Sequence, residues 1–215
     1  QRYLSRHTRR TFNVPLLAAT GLTVVLALLS GGVLINQNVH LSKASHDGAN
    51  PVAWLAQARI LALQARGDEA LTLAARGSSS QEADYNQVMS RLTMDRGPLA
   101  NSYGSLDPDL GRLTDQALQD VKAYDAQHKK VRALDENGDY EGAVKLAIGK
   151  PTTDVFERAR KNIDTALEDR KEVFTSEITS ARTGLTVLAV LGPLFALAIC
   201  AFAAAGIRAR LEEYR

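Results

Sequence analysis

The stretch VPLLAATGLTVVLALLSGGVLI, residues 14–35, decides the fold class of this chain because it holds 22 consecutive residues without a charge. As a helix it extends about 33 Å at about 1.5 Å per residue, which is enough to cross the hydrocarbon core of a bilayer. A second uncharged stretch, TGLTVLAVLGPLFALAICAFAAAGI, covers residues 183–207. We therefore predict two transmembrane helices, at 14–35 and at 183–207.

The alternative for the first stretch is a cleaved signal peptide. Its uncharged run is longer than the core of about 7–15 residues that signal peptides carry, and no A-x-A site follows it. A soluble helix of similar length would keep a polar face, which neither stretch has. Two membrane spans are the better interpretation.

The charges that flank the spans predict their orientation. Residues 36–182 carry 19 Lys and Arg against 22 Asp and Glu, so the segment between the spans is net negative. Positive flanks stay in the cytoplasm. We expect a cytoplasmic basic segment at 1–13, an extracytoplasmic domain at 36–182, a cytoplasmic tail at 208–215, and a multi-pass protein of the plasma membrane. The predicted topology anchors are Arg2, Arg6, Arg9, Arg10, Arg208 and Arg210, which need no nucleic-acid partner.

The segment between the spans reads as helix throughout, without an alternating strand pattern. Asn50-Pro51 is typical of a cap and a first helical position, and Gly77 of a helix end. A second helix follows the Ser cluster and stops at Gly97-Pro98, and Asp107-Pro108 opens a third that closes at Gly138. A short helix, DYEGAVKLAIG, precedes a last one that runs from Thr153 to about residue 206. Residues 36–50 either extend the first span or form a hinge.

Apolar spacing predicts which helix faces are buried. An up-and-down four-helix bundle is the expected fold, all-α and carried by two transmembrane helices. Arg170 interrupts the stripe on the last helix. That stripe comprises Phe156, Ala159, Ile163, Leu167, Phe174, Ile178, Ala181 and Leu185, and the stripe on the third helix comprises Leu110, Leu113, Ala117, Val121, Tyr124, His128 and Val131.

The sequence contains few candidates for catalytic or metal-binding residues. His40 and His46 lie on different faces of a helix and make a poor metal pair, while His128 on its apolar stripe is typical of a packed, hydrogen-bonded core histidine. The only cysteine, Cys200, lies in the second span. We find no nucleotide loop, nucleophile elbow or zinc-protease motif. The sequence therefore predicts neither an enzyme nor a bound cofactor.

Two sets of charged residues are candidate sites. Four arginines at a helix interface would cup an anionic ligand, although ordinary surface arginines are the alternative, and they are Arg59, Arg66, Arg158 and Arg160. Loops on a rigid scaffold commonly carry recognition, so the turns around ARGSSSQE and DENGDYEG are the expected polar, transient interface with a protein partner. Its residues are Arg76, Glu82, Asp135, Glu136 and Asp139.

Several short segments resemble known families. The outer segment, with GDYEGAVKLAIG, is similar to the four-helix-bundle sensor domain of methyl-accepting chemoreceptors. RRTFNVPLLAATGL, ARGDEALTLAARG and GIRARLEEYR resemble actinobacterial GlnX-type membrane proteins. That resemblance implies amino-acid sensing, in which a protein with four spans and two outer segments relays the state of an extracytoplasmic solute-binding protein to a cytosolic serine/threonine kinase. It also implies a second repeat preceding Gln1 in the native chain.

Three functions from different classes follow. The first is a membrane signal-relay protein whose outer helical bundle engages a solute-binding protein and acts on a cytosolic partner such as a kinase. The second is a direct small-molecule sensor with a polar pocket between bundle helices. The third is an accessory or scaffold subunit of a larger membrane complex that passes no signal.

The predicted orientation can be measured with Ser5→Cys and Tyr103→Cys, one on each side of the first span. A membrane-impermeant thiol reagent added to intact cells should label position 103 and not position 5, because the arginine-rich flank stays inside. Labelling at position 5 without labelling at position 103 would contradict the orientation.

Overall fold

The computed structural model describes residues 13–76, 79–100 and 107–213, and within these ranges it contains helices and no strand. The predicted all-α class is confirmed. The anchors Arg2, Arg6, Arg9 and Arg10 lie outside the described residues, as do positions 5 and 103 and the side chain of Arg210. The helices are α1 (Val14–Lys43), a π-helical segment (Ala44–Ala49), α2 (Asn50–Ala74), α3 (Ser79–Thr93), α4 (Pro108–Glu136), α5 (Tyr140–Ile148) and α6 (Lys150–Glu213).

The chain is helical without interruption from α1 through α2, so the predicted helix start at Asn50-Pro51 is wrong. Ala49 has helical angles, φ −60° and ψ −43°, and no side chain makes a capping hydrogen bond there. Pro51 lacks the N–H that would donate to the Asp47 carbonyl one turn earlier. A π-helical turn, whose hydrogen bonds span one residue more, accommodates this gap. Residues 36–50 therefore extend the first helix.

Other helix boundaries follow local signals, although α3 ends at Thr93, before the predicted stop at Gly97-Pro98. Arg76, at φ +50°, occupies the left-handed region just past α2, a common way for a helix to end. The predicted start of α4 is confirmed, because the Asp107 side chain accepts from the amides of Asp109 and Leu110 at 2.9 and 3.2 Å. α6 begins at Lys150, slightly earlier than expected, and continues through Pro193 to Glu213. The expected unbroken last helix is confirmed.

Two compact units divide the chain. Unit 1 comprises the described residues up to Ser42 and from Glu177 onward, and unit 2 comprises Lys43–Ser176. In unit 2, helices α2, α3, α4 and α6 all contribute side chains to one hydrophobic cluster. Its largest members include Leu55, Tyr85, Leu92, Tyr124, Phe156 and Ile163.

The stripe predicted on α6 is buried in its first half, but in its second half only Ala181 is buried. Phe156, Ala159, Ile163 and Leu167 are buried, whereas Phe174 and Leu185 are each 39% exposed. Arg170, expected to interrupt the stripe, is itself buried. The core of unit 2 therefore ends at the charged side chain of Arg170, and α6 extends beyond it. The α4 stripe is confirmed, because all its members except the partly buried Leu113 are buried.

Unit 1 consists of α1 and the C-terminal part of α6, lying antiparallel. Asn13 Nδ2 donates to the Gly206 carbonyl at 2.7 Å, and Val33 packs against Gly184. His40 and Glu177 make a hydrogen bond farther along the pair. Both helices are long and apolar enough to cross a membrane, and almost none of the residues in their apolar stretches are buried in the protein. The core helix of a soluble protein would instead be mostly buried.

A close approach between Gly48 and α6 tests the packing of unit 2. A Cβ atom at Gly48 would lie 2.8 Å from the Cα of Phe174, whereas one at Gly67 would meet nothing within 4 Å. We expect Gly48→Ala to destabilise unit 2 by about 1–3 kcal/mol, because the clash is with backbone. The matched Gly67→Ala should be neutral or stabilise by up to about 1 kcal/mol through helix propensity. Thermal unfolding in detergent measures both, and equal midpoints would contradict the packing.

Candidate functional site

A buried carboxylate lies at the centre of a polar cluster in unit 2. Glu69 on α2 is 2% exposed. Its Oε2 accepts from Tyr124 Oη at 2.8 Å and from Arg66 Nη1 at 2.5 Å, and its Oε1 lies 3.2 Å from His128 Nδ1. We call Glu69, its three partners, Glu82 and Tyr85 the Glu69 network.

His128 lies between two carboxylates and is almost fully buried. Its Nε2 is 3.1 Å from Glu82 Oε2, and its ring stacks on Tyr85 with ring centres 3.5 Å apart. Ionised carboxylates only accept hydrogen bonds, so both contacts are made when both ring nitrogens carry a proton or when a carboxyl group carries one. The prediction of a packed, hydrogen-bonded core histidine is confirmed.

The tyrosines of the network act as hydrogen-bond donors. Burial raises the pKa of Tyr85 and of Tyr124 well above the usual value, and the negative charge of Glu69 adds to the effect on Tyr124. Both therefore stay protonated, and Tyr124 donates to Glu69. Arg66 also donates to the Ala147 carbonyl at 3.1 Å, which joins the network to the end of α5. The cluster connects α2, α3, α4 and α5 through side chains with complementary roles.

The predicted partner surface is brought together at one end of unit 2. Glu82, Asp135 and Glu136 all pair with Arg132, their carboxylate oxygens lying 3.2, 2.6 and 3.2 Å from its guanidinium nitrogens. The Arg132 Nε is close to Glu82 but not aligned for a hydrogen bond. Among these three carboxylates only Glu136, with a side chain 67% exposed, is largely in solvent.

The two remaining residues of that predicted surface serve local structure. Asp139 caps α5 by accepting from the Gly142 amide at 2.9 Å. Arg76 lies over the Tyr140 ring, 5.1 Å from its centre, and so connects the α2–α3 turn to the α4–α5 turn. The turns do lie together, but much of their charge is engaged within the protein.

The four arginines predicted to bind an anion do not form one site. Arg59 and Arg160 both pair with Asp164 at 3.1 Å, and Arg158 pairs with Asp120 at 3.1 Å. Arg66 belongs to the Glu69 network. Since each already has a carboxylate partner, the arrangement offers no free cup for a ligand. The alternative interpretation, arginines with structural pairs, fits these contacts.

A second charged cluster, the Arg170 cluster, lies where the chain enters and leaves unit 2. The Arg170 guanidinium binds Asp107 and Asp169, each at 2.5 Å, and its Nη1 lies 3.5 Å from the Asp47 carbonyl that Pro51 cannot reach. Burial alone would raise the pKa of Asp107. Hydrogen bonds from the Leu110 amide and from Arg170 outweigh it and hold that pKa below its usual value.

Sequence reasoning missed both clusters for an identifiable reason. Glu69 and Arg170 look like ordinary helix-surface charges, because Glu69 follows Asp68 and Arg170 lies in a run of charged residues. The available signal was position, since Arg170 falls on the spacing of the buried stripe of α6. Within the described residues, no group of three or more His, Cys, Asp or Glu is arranged to hold a metal ion. His40 contacts Glu177 rather than forming a pair with His46.

Removing the central carboxylate measures what the network contributes. Glu69→Ala would leave buried His128 and Tyr124, and partly buried Arg66, without this acceptor. We expect it to lower the free energy of unfolding by about 3–5 kcal/mol. The control Glu172→Ala removes an exposed glutamate of α6 and should change it by less than about 0.5 kcal/mol. Denaturant unfolding followed by circular dichroism compares them. Equal stability of the two variants would show that the network is not formed.

Comparison of the chain with models of known protein families, with curated proteins and with solved structures found no match in any of the three. The likeness to GlnX-type membrane proteins and to chemoreceptor sensor domains therefore stays a prediction from short sequence segments.

Proposed function

We propose that this protein is an integral membrane signal-relay protein. Unit 1 crosses the membrane as two helices, and unit 2 lies outside it as an up-and-down bundle of α2, α3, α4 and α6. The outer bundle engages an extracytoplasmic protein, and the helix that leaves the bundle passes its state to a cytosolic partner. The observation that carries the proposal is the continuity of α6, one helix of 64 residues.

The surface of unit 1 supports insertion in a membrane. Large apolar side chains point outward along both helices, among them Leu28 at 71%, Val190 at 60% and Leu197 at 68% exposure. Exposure of such a surface to water costs about 25 cal/mol per Å². Contact with lipid chains does not carry this cost. Soluble monomers rarely expose a contiguous apolar surface of this kind.

The arrangement of unit 2 supports the bundle. Four helices share one core, and the α2–α3 connection spans only a few residues between Ala74 and Ser79. Short connections place successive helices antiparallel. The α2–α3 and α4–α5 turns then lie at the end away from the Arg170 cluster, which is the end we assign to partner binding. The exposed charges there include Arg76, Glu136 and Asp139.

The relay requires that α6 have more than one position in the bundle. Its first part contributes Phe156 and Ile163 to the core, and Arg170 ties it to the start of α4 and to the π-helical segment. π-Helical turns are frequent at functional sites. A partner that shifts α6 by a turn or less would exchange these contacts, and a rigid helix would carry the shift into its apolar part.

The resemblance to GlnX-type proteins names the partners of this proposal. The outer partner is an amino-acid solute-binding protein, and the inner partner is a serine/threonine kinase or another cytosolic signalling protein. The polar character of the exposed turns suits a transient interface with the former. Constant association with a transporter or a respiratory enzyme would instead favour the accessory or scaffold function.

A proline in α6 tests the relay. Ser176 is exposed and lies just beyond the core of unit 2, and Ser176→Pro removes a helix hydrogen bond at a cost of about 3 kcal/mol and kinks the helix. We expect a solute-binding protein and a kinase to co-purify with the chain from native membranes in mild detergent, for both Ser176→Pro and the control Ser176→Ala. The change in kinase-substrate phosphorylation after amino-acid addition should be lost in the proline variant alone.

Two outcomes would overturn the relay. One is an unchanged phosphorylation response in Ser176→Pro, which would mean that a continuous α6 is not needed. The other is the absence of both partners from the purified wild-type chain.

A further inference from the structure

Unit 2 contains a cleft of about 640 Å³ at the side of the bundle. One wall is formed by α2 with Trp54, Gln57 and Leu61, and the other by the end of α3 and the turn that follows it. Ligand clefts in proteins commonly hold about 300–1,000 Å³. The cleft is separate from the Glu69 network and from both turns assigned to partner binding.

Two arginines line the cleft, and neither has a carboxylate partner among the described residues. Elsewhere in unit 2 the arginines are engaged, seven of them in ion pairs with Asp or Glu. Arg91 and Arg96 make no such pair in the part of the chain that the structure describes, and the residues outside that part contain no Asp or Glu. Asp95, the one acidic side chain of the lining, leaves the cleft with a net positive charge.

Arg91 lies in the last turn of α3, and the turn that carries Arg96 is held by backbone hydrogen bonds. The Gly97 amide donates to the Met94 carbonyl at 2.8 Å, and the Ala100 amide donates to the Gly97 carbonyl at 2.9 Å. A Cβ atom at Gly97 would lie 2.7 Å from the Arg91 carbonyl, so only glycine fits this turn. Pro98 and Leu99 after it are buried. The wall is therefore preorganised, which lowers the entropic cost of binding.

Apart from Gln57, the rest of the lining is apolar or amphipathic. Trp54 is 43% exposed and Met94 is 48% exposed, so an indole face and a thioether border the same space as the two guanidinium groups. A flat ring stacks favourably on indole, and a carboxylate matches the fork of a guanidinium group. A ligand with an apolar body and a carboxylate would therefore complement both kinds of group in the lining.

We infer that this cleft binds a small organic acid, with its carboxylate on Arg91 and Arg96 and its apolar or aromatic body against Trp54 and Met94. The site does not depend on the proposed relay, because it needs only the fold of unit 2. An occupant would connect α2 to the α3–α4 turn. The outer domain would then bind a small molecule directly, in addition to any protein partner.

Trp54 makes the site observable, because it is the only tryptophan of the chain. The probe is phenylacetate, which carries a ring and one carboxylate, added to the full chain in detergent micelles while tryptophan emission is recorded. Phenylacetamide is the matched neutral probe, and inorganic phosphate is the anion without an apolar body. We expect saturable quenching or a shift with phenylacetate, and at least tenfold weaker binding of the other two.

Variants assign the binding to the two arginines. Arg91→Gln and Arg96→Gln should each weaken phenylacetate binding about tenfold or more, as expected for loss of a charge-assisted contact. The control Arg158→Gln makes the same substitution in a second cleft, where Arg158 is already paired with Asp120, and should leave the affinity unchanged. All three positions are exposed or partly so, and circular dichroism checks that each variant is folded.

Several results would overturn the inference. Absence of a saturable fluorescence change would show that the cleft binds no such acid. Equal binding of phenylacetamide would show that the arginines are not used, and equal binding of phosphate would show an unspecific anion site. An equal loss of affinity in Arg158→Gln would show that the effect is one of overall charge. None of these results bears on the proline test of the relay.

Discussion

The constraint on which unit 2 depends is the satisfaction of one buried carboxylate. Glu69 receives hydrogen bonds from Tyr124 and Arg66 and faces His128, and these partners come from two helices. The hydrophobic cluster of unit 2 consists largely of Ala and Leu, which would tolerate a slip of one helix along another. A slip of one turn, about 5.4 Å, would leave a charge buried without its partners, at a cost of several kcal/mol. The network therefore favours a single register of α2 against α4.

The same logic applies at the other end of the unit, with the charges reversed. There the buried guanidinium of Arg170 donates to Asp107, the N-cap of α4, and contacts the Asp47 carbonyl, to which Pro51 cannot donate a hydrogen bond. A cap already in use for Asp109 and Leu110 thus also holds α6 in place. α6 continues as helix from Arg170 to Glu213, and the proposed relay rests on that continuity. The Glu69 network resists sliding within the core, and the Arg170 cluster is the contact that a moving α6 would have to exchange.

This use of charge explains where function is to be sought. Most arginines of unit 2 neutralise carboxylates of the same unit, so their charge is not offered to a ligand or partner. Charged groups that are not neutralised in this way are therefore the candidates for binding a ligand or a partner. Arg91 and Arg96 keep their charge beside an apolar wall, and Glu136 keeps much of its carboxylate in solvent at the opposite end. A small acid and a protein partner would thus use different parts of one helical domain.

The sequence by itself determined the all-α class, the two apolar helices, the Asp107-Pro108 start of α4 and the buried stripes of α4 and of the first half of α6. These features depend on hydrogen bonds and side-chain spacing within about one or two turns, which a local pattern records. The predicted helix start at Asn50-Pro51 was wrong because the same dipeptide is compatible with a helix start and with a proline inside a continuing helix. The pairings of Glu69 with His128, of Arg170 with Asp107, and of Arg59 with Asp164 were decided only by tertiary structure. Their partners lie 59, 63 and 105 positions apart in the chain, so which charge is buried and which stays free depends on how the helices meet.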